Sequence, residues 1–291
     1  MKIQNITEDN LDLICAICLD PSVDREARDF MDKGMDNRLF WIKRMMPKGL
    51  GILVASEAPR HEKIHYKWVG KMLHSDLAVQ GQVPMGLLEY IPIEHALEPV
   101  QGKNCLFINC MWVLPPFWYK GVGKKLIESF IEKAKQYGAA SVISYEEERW
   151  FGTSIKYMPS SFFKKYGFKE IDRDGSRILQ FLDLGSSVQP KFIFPKNKSY
   201  IDNMNINLDI FFNNQCPWSK YMITTIKRGI EKYPNINLNM INTNERREIK
   251  RLGISRGICL NQKLIFNRMV SWKEIEPVIE KFVKKSIDKF Q

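Results

Sequence analysis

Apolar residues along this chain fall into short unbroken runs set between amphipathic stretches, and the two patterns predict different elements. Residues 51–56 (GILVAS), 85–91 (MGLLEYI) and 105–114 (CLFINCMWVL) are continuous apolar runs of strand length. Such runs, with β-branched and aromatic side chains and Gly or Pro at their ends, read as buried strands. The third is the most apolar and predicts a central strand. Shorter runs at 141–145 (SVISY) and 177–184 (RILQFLDL) predict two more, and KWVGKMLH, inside the polar stretch 57–84, one further. Residues 121–137 instead repeat apolar positions at helical spacing up to Gly138, a natural stop. Two earlier helices are expected. One runs from Thr7, with Glu8 and Asp9 in its first turn, to about Cys18, and the other covers 25–46, closed by PKG. A short helix over 160–168 ends at Gly167.

From 185 to 205 the sequence changes character. Gly, Ser, two prolines and several Asn and Lys predict a linker, after which a second unit begins. Strands are expected there at NLDIFF, INLNMI, GICL and KLIFN, and helices at 217–233, at NERREIKRL and over SWKEIEPVIEKFVKKSI. The expected organisation is α+β, with domains 1–184 and 206–291 about a linker at 185–205. Charge follows the same division: residues 187–291 hold 19 Lys or Arg against nine Asp or Glu, so they carry +10 of the chain's +11. These cations are dispersed and no nucleic-acid motif accompanies them, so nucleic acid is not the expected partner. No run approaches the roughly 18 apolar residues of a membrane span, and the first residues lack a signal-peptide core. Six scattered cysteines fit reduced thiols better than a disulfide scaffold, and a cytoplasmic protein is expected.

The candidate chemistry sits behind the central strand. Gly121-Val122-Gly123 opens the helix that follows it, with Lys120, Lys124 and Lys125 close by in sequence. The first N–H groups of a helix have no internal partner and carry the positive end of its dipole, and glycine lets an anion approach the backbone. The spacing matches neither a dinucleotide fingerprint, which fails at Leu126, nor a Walker loop, where Lys125 occupies the Ser/Thr place. On the strand 85–91, Glu89 alternates with Leu87 and Ile91 and is the best-placed carboxylate for a general base.

Two N-terminal helices, the strands, KGVGKKLIESFIEKAKQYGA, a further strand and FFKKYGFKE together resemble a GNAT N-acetyltransferase over residues 1–184. The resemblance implies a mixed-sheet acetyltransferase domain that uses acetyl-CoA and no metal. The turn Lys120, Gly121, Val122, Gly123 and Lys124 would hold the pyrophosphate, and the backbone of Met111, Trp112 and Val113 would pair with the pantetheine. The acyl group would pass directly to a small-molecule or peptide amine. Trp118 stands where the family usually has Gln or Arg, and Tyr119 where many members have another glycine. Phe163 occupies the place of the tyrosine that protonates the CoA thiolate, so Tyr166 or Tyr157 would substitute, with Tyr166 the first candidate.

LLEYIPIEHALEPVQGKNCLFINCMWV and CPWS further resemble the branch with a YoaP-like C-terminal domain, and residues 206–285 resemble a thioredoxin-like fold. That places Cys216 at a helix start, where a thiol pKa is expected to fall. Ser219 replaces the resolving cysteine, so no internal dithiol cycle is possible. Two other readings remain open: a non-catalytic CoA-binding sensor, and a monothiol module worked by Cys216. Three patterns are set aside. HEKIH (61–65) has the residues of a zinc protease motif but no long helix around it, so a loop is expected. CAIC (15–18) lies on apolar helix positions, and EEE (146–148) reads as a solvated loop.

Overall fold

In the computed structural model, which describes residues 1–19, 25–59, 64–68, 71–75, 79–148, 155–185, 188–195 and 206–290, the apolar runs become strands of two main sheets. The first sheet has seven strands in the order β1-β2-β5-β7-β8-β10-β9. In chain order these are β1 (Lys2–Asn5), β2 (Gly51–Glu57), β5 (Val83–Pro92), β7 (Leu106–Val113), β8 (Ala139–Tyr145), β9 (Lys169–Asp174) and β10 (Arg177–Asp183). Between β2 and β5, β3 (Ile64–Trp68) and β4 (Lys71–Ser75) form an antiparallel hairpin, with His65 opposite His74. His65 is thus on a strand, not in the expected loop, and strand geometry does not bring i and i+4 histidines onto a helix face. His61 lies outside the described residues.

Helices α1 (Asp12–Cys18), α2 (Arg25–Met45), α3 (Val122–Ala134) and α4 (Ser160–Lys164) accompany this sheet. The helix expected from Thr7 begins instead as a single 3-10 turn, Glu8–Asn10, before α1. Helix α3 buries Val122, Leu126, Ile127, Phe130 and Ala134, the stripe its spacing predicted. These meet Phe107, Leu87 and Leu53 in one core, where each large apolar side chain contributes about 1.5–3 kcal/mol.

All neighbours in the sheet are antiparallel except β7 and β8. That parallel pair is joined by α3, and a parallel strand pair requires such a crossover. The carboxyl end of β7 therefore delivers the chain straight to the α3 N-terminus.

The stretch expected as a linker contributes β11 (Lys191–Phe192), which pairs with β6 (Val100–Gln101). The second sheet has the order β13-β12-β14-β15, from β12 (Ile206–Phe212), β13 (Ile236–Asn242), β14 (Gly257–Leu260) and β15 (Lys263–Phe266). Strands β12 and β13 are parallel across α5 (Trp218–Ile230), and β14 and β15 add an antiparallel hairpin. Helices α6 (Arg246–Leu252) and α7 (Trp272–Phe290) complete this unit, which has its own apolar core around Leu208, Met222, Ile226 and Ile275.

The two units are docked through polar anchors. Arg246 donates to the carbonyls of Ala96 and Glu98 at 2.7 and 2.6 Å, and also to Val100. Ser255 donates to Leu97 O at 2.6 Å, Arg256 pairs with Glu98, and Arg268 pairs with Glu148 at 2.8 Å. Glu148 is therefore an anchor, not the solvated acid that the EEE run suggested. Helix α2 crosses α5 so closely that a Cβ at Gly34 would collide with the Pro217 carbonyl oxygen. Gly34→Val is expected to destabilise the chain by about 1–3 kcal/mol, as overpacking does, with the loss read from the urea midpoint. An unchanged midpoint would mean the helices do not meet at Gly34.

Candidate active site

The register between β5 and β7 slips at one place. Glu89 faces Cys110 and Tyr90 faces Ile108, which leaves Asn109 as an extra residue. A bulge bends its strand and sharpens its twist. Strand β7 pairs with β8 only from Leu106 to Ile108, opposite Ala140 to Val142. Past the bulge the two strands part in a wedge. The far end of β8 turns to other partners, with Tyr145 N–H donating to Met158 O at 3.1 Å. Beyond the bulge, between Met111–Val113 of β7, the start of α3 and residues 155–166, lies a cavity of about 660 Å³, within the range of small-molecule sites.

At the mouth of the wedge stands the glycine turn. Gly121 has φ +76°, a left-handed conformation natural to glycine, and caps α3. Helical bonding begins with Lys125 N–H to Gly121 O at 3.1 Å, so the N–H groups of Val122, Gly123 and Lys124 have no helical partner. A Cβ at Gly123 would press on Met111 and Phe162 at 3.3 Å, so glycine also keeps the wedge open there. Tyr119, at the family's further glycine position, takes a left-handed φ of +61° and is fully exposed.

Most of the residues singled out from the sequence meet here. Met111, Trp112, Val113, Gly121, Val122, Gly123, Lys124 and Tyr166 all line the cavity. Lys120 does not; its ammonium lies over the Phe117 ring, 5.6 Å from the centroid. One acceptor position on the Val113 carbonyl is already taken by the Trp118 indole N–H at 2.7 Å. Phe163 is a core residue, edge-on to Phe162 and Phe168. Tyr166 stacks obliquely on Phe162, with centroids 5.1 Å apart; partial burial and Glu128 raise its hydroxyl pKa. Tyr157 does not line the cavity; its hydroxyl is 3.9 Å from the Cys110 sulfur at the bulge, and burial holds it well above the ordinary tyrosine range.

Glu89 is fully buried beneath the bulge. It pairs with Arg38 of α2 at 2.8 Å and accepts from Asn109 Nδ2 at 3.1 Å. Arg38, whose guanidinium pKa the neighbouring carboxylate holds up, was missed in the sequence reading because its partner lies 51 residues away. Cys216 is placed at the seam between the units and lines a cavity of about 280 Å³ beside Gly34, Asn37 and Ser219. Its expected activation is corrected by the structure: desolvation raises the Cys216 pKa, and Arg38 and Arg256 only partly oppose this. Cys259 points instead into a small cluster with Phe211 and Ile254.

Burial also pushes Cys18, whose carbonyl accepts from Trp218 Nε1 at 3.2 Å, from 9.0 up to about 12. Below pH 9 these thiols are protonated in both the folded and unfolded chain. Above it the unfolded chain releases its protons first, so stability falls as pH rises towards about 12. The urea midpoint is expected to drop through that window and to drop less in Cys18→Ala; an equal drop in both proteins would remove Cys18 as a cause.

Residues 46–150 match the family model described as acetyltransferase (GNAT) family, so the chain carries a GNAT acetyltransferase domain on a mixed sheet. An uncharacterized N-acetyltransferase, YoaP, of Bacillus subtilis (strain 168) is 28% identical over 152 residues, covering 50% of this chain and 57% of that protein. The match thus spans little more than half of that curated relative. Among solved structures, the PaiA N-acetyltransferase from Thermoplasma acidophilum in complex with coenzyme A is similar at 15% identity. The overlap is 63% of this chain and 99% of that one, with a TM-score of 0.39. An aminoglycoside 6'-N-acetyltransferase complexed with coenzyme A is similar at 11% identity, over 68% of this chain and all of that one, with a TM-score of 0.35. Among the described residues, no helix is long and apolar enough to cross a membrane and no group of three or more His, Cys, Asp and Glu is placed to hold a metal.

Proposed function

We propose that the protein transfers the acetyl group of acetyl-CoA to an amine, with the donor lying in the wedge between β7 and β8. The observation that carries this reading is the wedge itself: a parallel strand pair parted by a bulge, with the unpaired N–H groups of α3 at its mouth. The pyrophosphate takes the N–H groups of residues 122–124 and the charge of Lys124. The pantetheine runs along Met111–Val113 towards the bulge, so the thioester comes to rest beside Asn109 and Cys110.

An ammonium must lose a proton before it attacks. The Glu89 carboxylate has room for about four hydrogen bonds, and Arg38 and Asn109 supply two. It is the candidate base, receiving the amine proton as the nitrogen bonds to the thioester carbon and the carbon–sulfur bond breaks. The departing thiolate then takes a proton from a tyrosine. Tyr157 suits this step better than Tyr166, because it stands at the bulge while Tyr166 borders α3. Its raised pKa keeps the proton available at neutral pH.

Purified protein is to be assayed with acetyl-CoA and a panel of small-molecule and peptide amines, following release of free CoA thiol. Transfer to at least one amine is expected, with kcat reduced more in Tyr157→Phe than in Tyr166→Phe. No release with any amine would count against the transferase reading, and a larger loss in Tyr166→Phe would return the acid role to Tyr166. Six cysteines scattered along the chain fit a reducing, cytoplasmic setting.

A further inference from the structure

Four residues at the seam between the units close into a ring. Arg38 Nη2 donates to Glu89 Oε2 at 2.8 Å, and Asn109 Nδ2 donates to Glu89 Oε1 at 3.1 Å. Gln215, from the second unit, donates its Nε2 hydrogen to the Asn109 carbonyl at 3.4 Å, and its own carbonyl accepts from Arg38 Nη1. Exposure is 2% for Arg38, 0% for Glu89, 5% for Asn109 and 2% for Gln215. Even so, Asn109 Oδ1, Gln215 Oε1 and Arg38 Nε have no hydrogen-bond partner among the described residues.

The amide orientations follow from the partners. An ionised carboxylate and a backbone carbonyl only accept, so each amide must turn its NH2 towards them, which leaves the two side-chain oxygens unpaired. An unsatisfied buried polar atom costs about 1–3 kcal/mol. Three in one ring, at the bulge of β7, are a built capacity for a ligand.

We propose that this ring is the recognition subsite for the acceptor and that Gln215 is a specificity-determining residue, so that the second unit completes the acetyl-transfer site. The inference rests on the acetyl-transfer reading above. A primary ammonium offers three N–H donors, enough for both amide oxygens with one left for Glu89. A hydroxyl offers one and cannot serve both. Arg38 Nε adds a donor, which suits an oxygen near the amine, as in an amino alcohol or an amino acid. Gln215 is held for this task by its own backbone, whose N–H donates to Asn213 Oδ1 at 3.2 Å.

The test is calorimetric titration of ethanolamine, L-lysine, spermidine and kanamycin into the full chain saturated with CoA. At least one amine is expected to bind. Gln215→Met, which keeps the side-chain length and loses both polar atoms, is expected to weaken that amine about tenfold or more, about 1.4 kcal/mol. Its affinity for CoA is expected to stay within about twofold of wild type, since Gln215 does not touch the wedge. Gln215→Glu keeps an acceptor oxygen and is expected to retain the amine. Should the Met variant fail to fold, Gln215→Ser, too short to reach the ring, carries the same expectation. Wild-type amine affinity in the Met or Ser variant overturns the inference, as does a CoA-loaded wild type that binds none of the four probes. Failure of the wild type to bind CoA would instead sink the transferase reading.

Discussion

Arg38→Met is expected to destabilise the chain by about 3–5 kcal/mol, the usual cost of removing one partner from a buried ion pair. The guanidinium is almost wholly buried and is the ionic partner of Glu89, which has no exposure of its own. Its removal leaves a carboxylate in the core with a single amide donor, and takes away the donor that Arg38 gives to the Gln215 carbonyl. Stability and docking fall together because Arg38 serves both units. Urea unfolding read by circular dichroism measures the loss. Glu89→Gln with Arg38→Met together are expected to recover part of it, since the double change removes both charges. A single variant within about 0.5 kcal/mol of wild type would mean that the pair carries no net stabilisation.

Gly121→Glu is expected to weaken acetyl-CoA binding by about a hundredfold or more, about 2.7 kcal/mol, while the fold persists. Among the described residues no atom lies within 4 Å of a Cβ built at Gly121, so the carboxylate fits sterically. Its charge would stand where the dipole of α3 and Lys124 are to meet a pyrophosphate, and like charges there repel. The left-handed φ of +76° adds a backbone cost of about 1–2 kcal/mol that any L residue incurs. Gly121→Ala therefore serves as the control, with the same strain and little loss of affinity. Titration calorimetry on both variants separates charge from strain; equal losses would assign the effect to the backbone.

The strands were legible in the sequence where one segment carries its own pattern. GILVAS, MGLLEYI and CLFINCMWVL became β2, β5 and β7 within two residues at each end. The glycine turn was legible for the same reason, because Gly121 and Gly123 act through local backbone geometry. Strand β1 was not, since KIQN has no apolar alternation and is held by pairing with β2. Nor was the polar seam. Arg38, Glu89, Asn109 and Gln215 come from four distant segments, and only the docked fold brings them together. Cys216 shows how a local rule can mislead. A helix start favours a thiolate, but α2 packs over this one, and desolvation outweighs the two nearby arginines.

Hydrogen exchange read by mass spectrometry on the full chain, with and without saturating acetyl-CoA, tests the central claim most directly. Acetyl-CoA is expected to slow exchange at the backbone amides of residues 109–113, along β7, and 121–124, at the mouth of the wedge, and to leave β12 to β15 largely unchanged. Saturable binding without protection in either segment, or no binding at all, would contradict the account.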